Sequence, residues 1–248
     1  MPRMQQERPV ALITGAARRI GAETARLLHA RGHDLALHYR SSGDAMQALQ
    51  AELEAERPGS VLALQAELSD LDRLPGLVDA TIERFGRLDA LVNNASSYFA
   101  TPVGTATPAQ WDTLFASNAQ APFFLSQAAA PHLAAARGSI VNIVDIYAER
   151  PLPAHTIYCM AKAALVMMTR SLALELGPEV RVNAVAPGNV LWSDNPVKAE
   201  TLATVEARTA LRRQGSPRDI AEAVLTCLQS GYMTGHVLTI DGGRRLHI

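Results

Sequence analysis

Cysteine and lysine are scarce in this chain, and long apolar runs are missing from it. Its two cysteines, Cys159 and Cys227, are too few for a disulfide framework, and without a C-x-x-C pair or a His/Cys cluster they predict no metal site. A reducing cytoplasm is the expected compartment. No stretch reaches ~18 uninterrupted apolar residues, and the N-terminal segment carries Arg3, Glu7 and Arg8 in place of a signal-peptide core. Neither secretion nor a membrane span is therefore expected. Charge of one sign is also missing, since 23 Lys+Arg against 24 Asp+Glu leave a net charge of −1, which argues against a nucleic-acid partner. The only lysines are Lys162 and Lys198.

What is present is apolar material in a regular alternation. With 248 residues, 48% hydrophobic and 19% charged, the chain can bury a full core. Apolar runs of strand length at Pro9–Thr14, Asp34–Tyr39, Val61–Ala66, Leu88–Asn93, Ser139–Val144, Val180–Ala186 and Val237–Ile240 are separated by helical spacings at Ile20–Ala30, Ala45–Glu56, Leu71–Phe85, Pro108–Ala136 and Ala154–Leu176. Two further helical stretches precede the last strand. Parallel neighbours need crossovers, so this alternation predicts an α/β fold: one doubly wound sheet of seven mainly parallel strands with helices on both faces. No linker divides the chain, which reads as a single domain over 1–248. The irregular segment 188–209 is the expected lid over a site at the strand ends.

The chemistry is concentrated at those strand ends. Gly15 and Gly21 stand six apart in the first strand-to-helix turn, Thr14 to Gly21, where they let the backbone approach a pyrophosphate at a helix N-terminus. The second strand ends in His38-Tyr39-Arg40-Ser41, with no acid to repel a 2′-phosphate and with a cation and a hydroxyl to receive one. This favours NADP(H) over NAD(H); a solvated turn arginine is the competing reading, and Asp44 nearby works against the preference. After the fourth strand, Asn93-Asn94-Ala95-Ser96-Ser97-Tyr98 can tie backbone groups at the sheet edge and turn Ser96 and Tyr98 into the crevice. Tyr158 and Lys162, four apart, share one helix face thirteen and seventeen residues after Asp145. A lysine ammonium beside a phenol predicts a lowered tyrosine pKa and a usable proton donor.

Taken in order, Thr14–Gly21, Asn93-Asn94-Ala95, Asn118, Tyr158 with Lys162, Pro187-Gly188 and Asp241-Gly242-Gly243 resemble the short-chain dehydrogenase/reductase family over nearly the whole chain. The resemblance implies a Rossmann-type fold, hydride transfer from a nicotinamide, Tyr158 as proton donor, Lys162 as ribose anchor, and Asn118 holding a water in a proton relay. It also places Gly15, Arg18, Arg19, Ile20, Gly21, His38, Tyr39, Arg40, Ser41, Glu67, Leu68, Asn94, Ala95, Ser96, Pro187, Gly188 and Val190 against the cofactor. Glu67-Leu68 stand where the family usually has aspartate and an apolar residue near the adenine.

Most of the family has serine at the position of Asp145. A carboxylate cannot donate to a ketone oxygen as a serine hydroxyl does, but it suits a nitrogen heterocycle, accepting from N–H donors or, when protonated, helping to deliver a proton. Thr14–Gly21, His38–Ser41, Asn94–Tyr98 and Asp145 with Thr156–Lys162 are similar to the pteridine reductases, bacterial dihydromonapterin reductases among them. That resemblance implies a pterin stacked between the nicotinamide and Tyr98, near Arg19, Ser96, Asp145 and Tyr158, with Trp192 on the substrate-side wall. The expected activity is NADPH-dependent reduction of 7,8-dihydropterin to tetrahydropterin, and of oxidised pterin to dihydropterin. A carbonyl reductase of the oxoacyl or sugar type is the alternative, and a noncatalytic NADP(H)-binding regulator is a third. The family also implies a homotetramer; the apolar stretch Ala161, Ala163, Ala164, Leu165, Met167 and Met168 suits such an interface and equally a buried helix.

Overall fold

The computed structural model describes residues 8–190 and 199–246. Among them, seven strands form one sheet: β1 (Val10–Ile13), β2 (Asp34–Tyr39), β3 (Val61–Gln65), β4 (Ala90–Asn93), β5 (Ser139–Ile143), β6 (Arg181–Pro187) and β7 (Val237–Ile240). Their spatial order is β3-β2-β1-β4-β5-β6-β7, and every neighbouring pair is parallel. The chain leaves β1 towards β2 on one side and returns to β4 on the other, so a crevice opens between the C-terminal ends of β1 and β4, where open α/β sheets bind ligands.

The strands are mostly apolar, and the central ones are buried on both faces, because helices cover both sides of the sheet. Successive residues serve opposite layers. Ala11, Ile13, Leu35, Leu37, Val92 and Val141 pack with α1 (Arg19–Ala30), α2 (Gly43–Glu56) and α8 (Pro217–Gln229). Leu12, Ala36, Leu91, Ile140 and Val182 pack on the other side with α3 (Leu74–Phe85), α5 (Ala121–Ala136) and α6 (Thr156–Glu175). A one-residue slip of any strand would exchange the two sets, so the register is strongly specified.

Two helices depart from the expected spans. The continuous helix expected over Pro108–Ala136 is α4 (Pro108–Phe115), a π turn (Ala116–Gln120) and α5. Pro122, in the first turn of α5, has no N–H to offer the carbonyl four residues earlier, that of Asn118, so one α-type hydrogen bond is missing at the point where the π turn sits. The helix expected from Ala154 begins at Thr156, after a short 3-10 turn at Ile146–Ala148 and a left-handed Ala154. α6 is long and apolar enough to span a membrane, but half of it is buried in the fold and it packs on β6. Of the segment expected as a lid, α7 (Ala199–Ala207) is helical, and Trp192 lies outside the described residues.

Candidate active site

A cleft of about 490 Å³ follows the crevice, lined by Gly15, Arg18, Arg19, Ile20 and Gly21, by His38 to Ser42, by Glu67 and Leu68, and by Asn94 to Ser97. Both glycines of the first turn are there of necessity. Gly15 has φ +62° and a Cβ on it would lie 2.9 Å from Ala95 Cα; a Cβ on Gly21 would meet the Gly15 carbonyl oxygen and stand 2.7 Å from Asn94 Nδ2. Asn94 explains the crowding: its Nδ2 donates to the Thr14 and Gly15 carbonyls at 2.8 and 3.0 Å, while Thr14 Oγ1 accepts from the Asn94 and Ala95 amides. The β4 end and the glycine turn are one unit. Gly21→Ala should therefore destabilise the fold by about 1–3 kcal/mol through overpacking. A lowered thermal midpoint with weakened dinucleotide binding is the expected reading, and an unchanged midpoint would contradict the packing.

The groups present fit a polyanionic dinucleotide. The turn leaves no room for side chains where backbone must approach a phosphate, the N-terminus of α1 faces the cleft, and Arg18, Arg19 and Arg40 line it. Arg40 forms an ion pair with Glu67 at 3.8 Å, both side chains being more than half exposed. Such a pair is worth ~0–1 kcal/mol, which leaves Arg40 open to capture by a phosphate.

At the other end of the crevice the reactive side chains meet. Asp145 follows β5; its Oδ1 accepts the Tyr147 amide at 2.9 Å and its Oδ2 accepts the Tyr158 hydroxyl at 2.7 Å. Lys162, one turn further along α6, is fully buried; its Nζ donates to the Ile143 carbonyl at 2.9 Å and lies 5.8 Å from the centre of the Tyr158 ring. The expected lowering of the phenol pKa by Lys162 is reversed here. Burial and the Asp145 carboxylate raise the Tyr158 hydroxyl well above its ordinary value. Burial likewise raises Asp145, against the opposing pull of its hydrogen bonds and Lys162, and lowers Lys162 to about 8. Tyr158 keeps its proton, and burial makes Asp145 easier to protonate than a solvated carboxyl; protonating Asp145 removes the carboxylate's share of the upward pull on Tyr158, and a pair in that state suits donation rather than abstraction.

Asn118 sits fully buried in the π turn. Its Nδ2 donates to the Leu114 and Ser97 carbonyls at 2.9 Å each, and its Oδ1 accepts from Ser96 Oγ at 2.7 Å. The side chain thus pins the Ser96–Ser97 loop to α4. Beyond that loop Tyr98, just over half exposed, stacks on His155 at 4.8 Å and meets Tyr158 edge-on at 4.9 Å. Gly188 packs on Asp241, and the Val190 side chain is buried in the core beside a separate 140 Å³ cavity. Three participants were not singled out from sequence. Tyr147 binds Asp145 through its amide, a D-x-Y spacing typical of an Asx turn; His155 stands at the N-cap of α6, three residues before Tyr158; Ile143 contributes only a carbonyl, which no side-chain pattern reveals.

Comparison with known proteins places this geometry. A family model described as enoyl-(acyl carrier protein) reductase matches residues 15–245. Pteridine reductase 1 of Leishmania tarentolae is 37% identical over 281 residues, covering 96% of each chain. The putative ketoacyl reductase 2 of the granaticin polyketide synthase of Streptomyces violaceoruber is 38% identical over 97% of each chain. A 3-oxoacyl-(acyl-carrier-protein) reductase of Thermotoga maritima is 34% identical over 97% of this chain and 99% of its own. Similarity of this extent, on a sheet wound in this order around a Tyr158–Lys162 pair, makes the chain an oxidoreductase of the short-chain dehydrogenase/reductase family.

Proposed function

We propose that this protein is an NADPH-dependent pteridine reductase of the cytoplasm, reducing 7,8-dihydropterins to tetrahydropterins and oxidised pterins to dihydropterins. The observation that carries the reading is the acid at position 145, hydrogen-bonded to Tyr158 at 2.7 Å. When bound, the nicotinamide supplies a hydride, to C7 of an oxidised pterin or C6 of a dihydropterin. The protein's part is the proton. Tyr158 donates from its hydroxyl on the N8 side and takes a proton back from Asp145, leaving a carboxylate opposite the Lys162 ammonium. Were Asp145 ionised at the outset, donation would place two anions within 2.7 Å of one another, which is why the raised Asp145 pKa matters. For a dihydropterin the proton goes to N5 through water. Tyr98 offers the aromatic face for a flat ring, and Arg40 with Ser41 receives the 2′-phosphate.

A ketoreductase is the second reading, favoured by the 38% identity to the granaticin ketoacyl reductase. NADPH oxidation measured with 7,8-dihydrobiopterin and biopterin beside β-keto esters separates the two. Turnover confined to the pterins supports the first; turnover confined to the keto esters replaces it with the second.

The active form in this reading is a tetramer of identical chains. On α6 one stripe containing Ala161 and Leu165 is buried, whereas Met160, Met167 and Leu174, seven residues apart, are exposed, as are Phe123 and Phe124 on α5. A second copy would cover this apolar face. Light scattering should give four times the chain mass of 26.6 kDa, and Met167→Glu should reduce it; an unchanged mass in that variant would remove this face from the interface.

A further inference from the structure

His38 was expected at the cofactor because it ends a strand beside it, yet its ring is turned inward and only 2% exposed. Its Nδ1 lies 3.2 Å from the Gly15 amide nitrogen and its Nε2 3.1 Å from the Ala66 carbonyl oxygen. An amide can only donate and a carbonyl can only accept, so these two partners fix the tautomer: neutral, protonated on Nε2. The backbone of the same residue takes the next amide, Ala16 N–H donating to the His38 carbonyl at 2.8 Å. One residue therefore holds the first two amides of the glycine turn.

Each group so held begins a segment of the cleft wall. Gly15 opens the turn that runs to Gly21, Ala66 precedes Glu67 and Leu68, and His38 itself precedes Tyr39, Arg40, Ser41 and Ser42. We propose that the His38 imidazole is a positioning residue for dinucleotide binding, a neutral clamp that sets the pyrophosphate turn against the adenosine end of the cleft. The inference rests on dinucleotide binding in this cleft and is independent of what the enzyme reduces.

Burial keeps the ring neutral, lowering its pKa against the opposing pulls of the Ala66 carbonyl and Glu67. The charged group acting on it is Glu67 from the β3 end; Arg18 and Arg19 from the turn and Arg40, just past its own strand, line the same cleft. A second proton would set Nδ1–H against the Gly15 N–H, two donors with nothing between them to accept.

The two nitrogens can be separated by substitution, because an asparagine oxygen falls near the place of Nδ1 and a glutamine amide near that of Nε2. NADPH and NADH fluorescence titrations on wild type, His38→Asn and His38→Gln are the experiment. His38→Asn should bind both nucleotides within about threefold of wild type, and His38→Gln at least about tenfold more weakly, the size of one lost hydrogen bond to a loop amide. Equal weakening in both variants, no weakening in His38→Gln, or a loss confined to NADPH would overturn the proposal; the last would place the effect at the 2′-phosphate instead of the turn. Nitrogen-15 resonances of the wild-type ring test the clamp without any variant. Neutral Nε2–H supports it, and Nδ1–H or an averaged pair refutes it.

Discussion

Tyr158→Phe should lower the reduction of oxidised pterin by about 10²–10⁴-fold, the usual contribution of a positioned acid, while dinucleotide binding changes little. The variant removes one oxygen and leaves the ring, which packs with Leu114 and Ile157. The fold should accordingly survive. Single-turnover absorbance at saturating NADPH reads the chemical step, and fluorescence titration reads binding. With dihydropterin, whose N5 is protonated through water, the loss should be smaller. Equal losses for both substrates would mean that Tyr158 acts in orientation and not as the donor on the N8 side; retained turnover with oxidised pterin would end the assignment.

Asp145→Ser should have the second largest effect, and of opposite sign for two substrate classes. Pterin turnover should fall about 10²–10³-fold with the loss of a preorganised group at the reacting edge, whereas β-keto ester reduction should rise, because serine supplies the hydroxyl donor that a carboxylate lacks. The pH profile should change with it. Asp145 titrates above its ordinary carboxylate range because it is buried, so turnover that needs its proton is full below that raised value and falls as pH rises through it. In the serine variant this limb should disappear. Stability falls in the same direction of pH: a carboxyl whose folded pKa lies above its unfolded value of about 3.9 weakens the fold once pH exceeds that unfolded value. The thermal midpoint of Asp145→Ser should thus exceed wild type near neutrality and converge with it in acid. A variant whose gain over wild type is no larger at neutral pH than in acid would show that Asp145 is ionised at no cost.

Much of this was legible from residue order, for identifiable reasons. Strands between two helical layers read as near-continuous apolar runs, and all seven fall where Val, Ile, Leu and Ala cluster between helical spacings. Gly15, Gly21 and the Tyr158–Lys162 pair were visible because each depends on local spacing. The balance of forces on Tyr158 was not. It depends on how deeply α6 sinks and on which oxygen Asp145 presents, both tertiary facts, and burial with a carboxylate at hydrogen-bond distance outweighs an ammonium further away. His38 lines the cleft as its place in the chain suggests, but no period of 2 tells that its ring turns inward to hold the Gly15 amide and the Ala66 carbonyl. The break at Asn118 was legible in principle, since Pro122 stands four residues on; apolar periodicity hid it by continuing across both halves.

That break also governs angular phase. An α-helix advances about 100° per residue, and a π turn takes up one residue more than the α ladder allows for. Every side chain from Ala121 onward is therefore rotated about the axis relative to an uninterrupted continuation of α4. One cylinder serves two directions: Asn118 points into the Ser96–Ser97 loop while Phe123 and Phe124, a turn later, face outward. Deleting a single residue here would be a rotation more than a shortening, turning the outward pair and the inward amide towards each other's places. Insertions and deletions in this stretch should hence be tolerated far less than substitutions at its exposed positions, because the turn that sets the phase also buries Asn118.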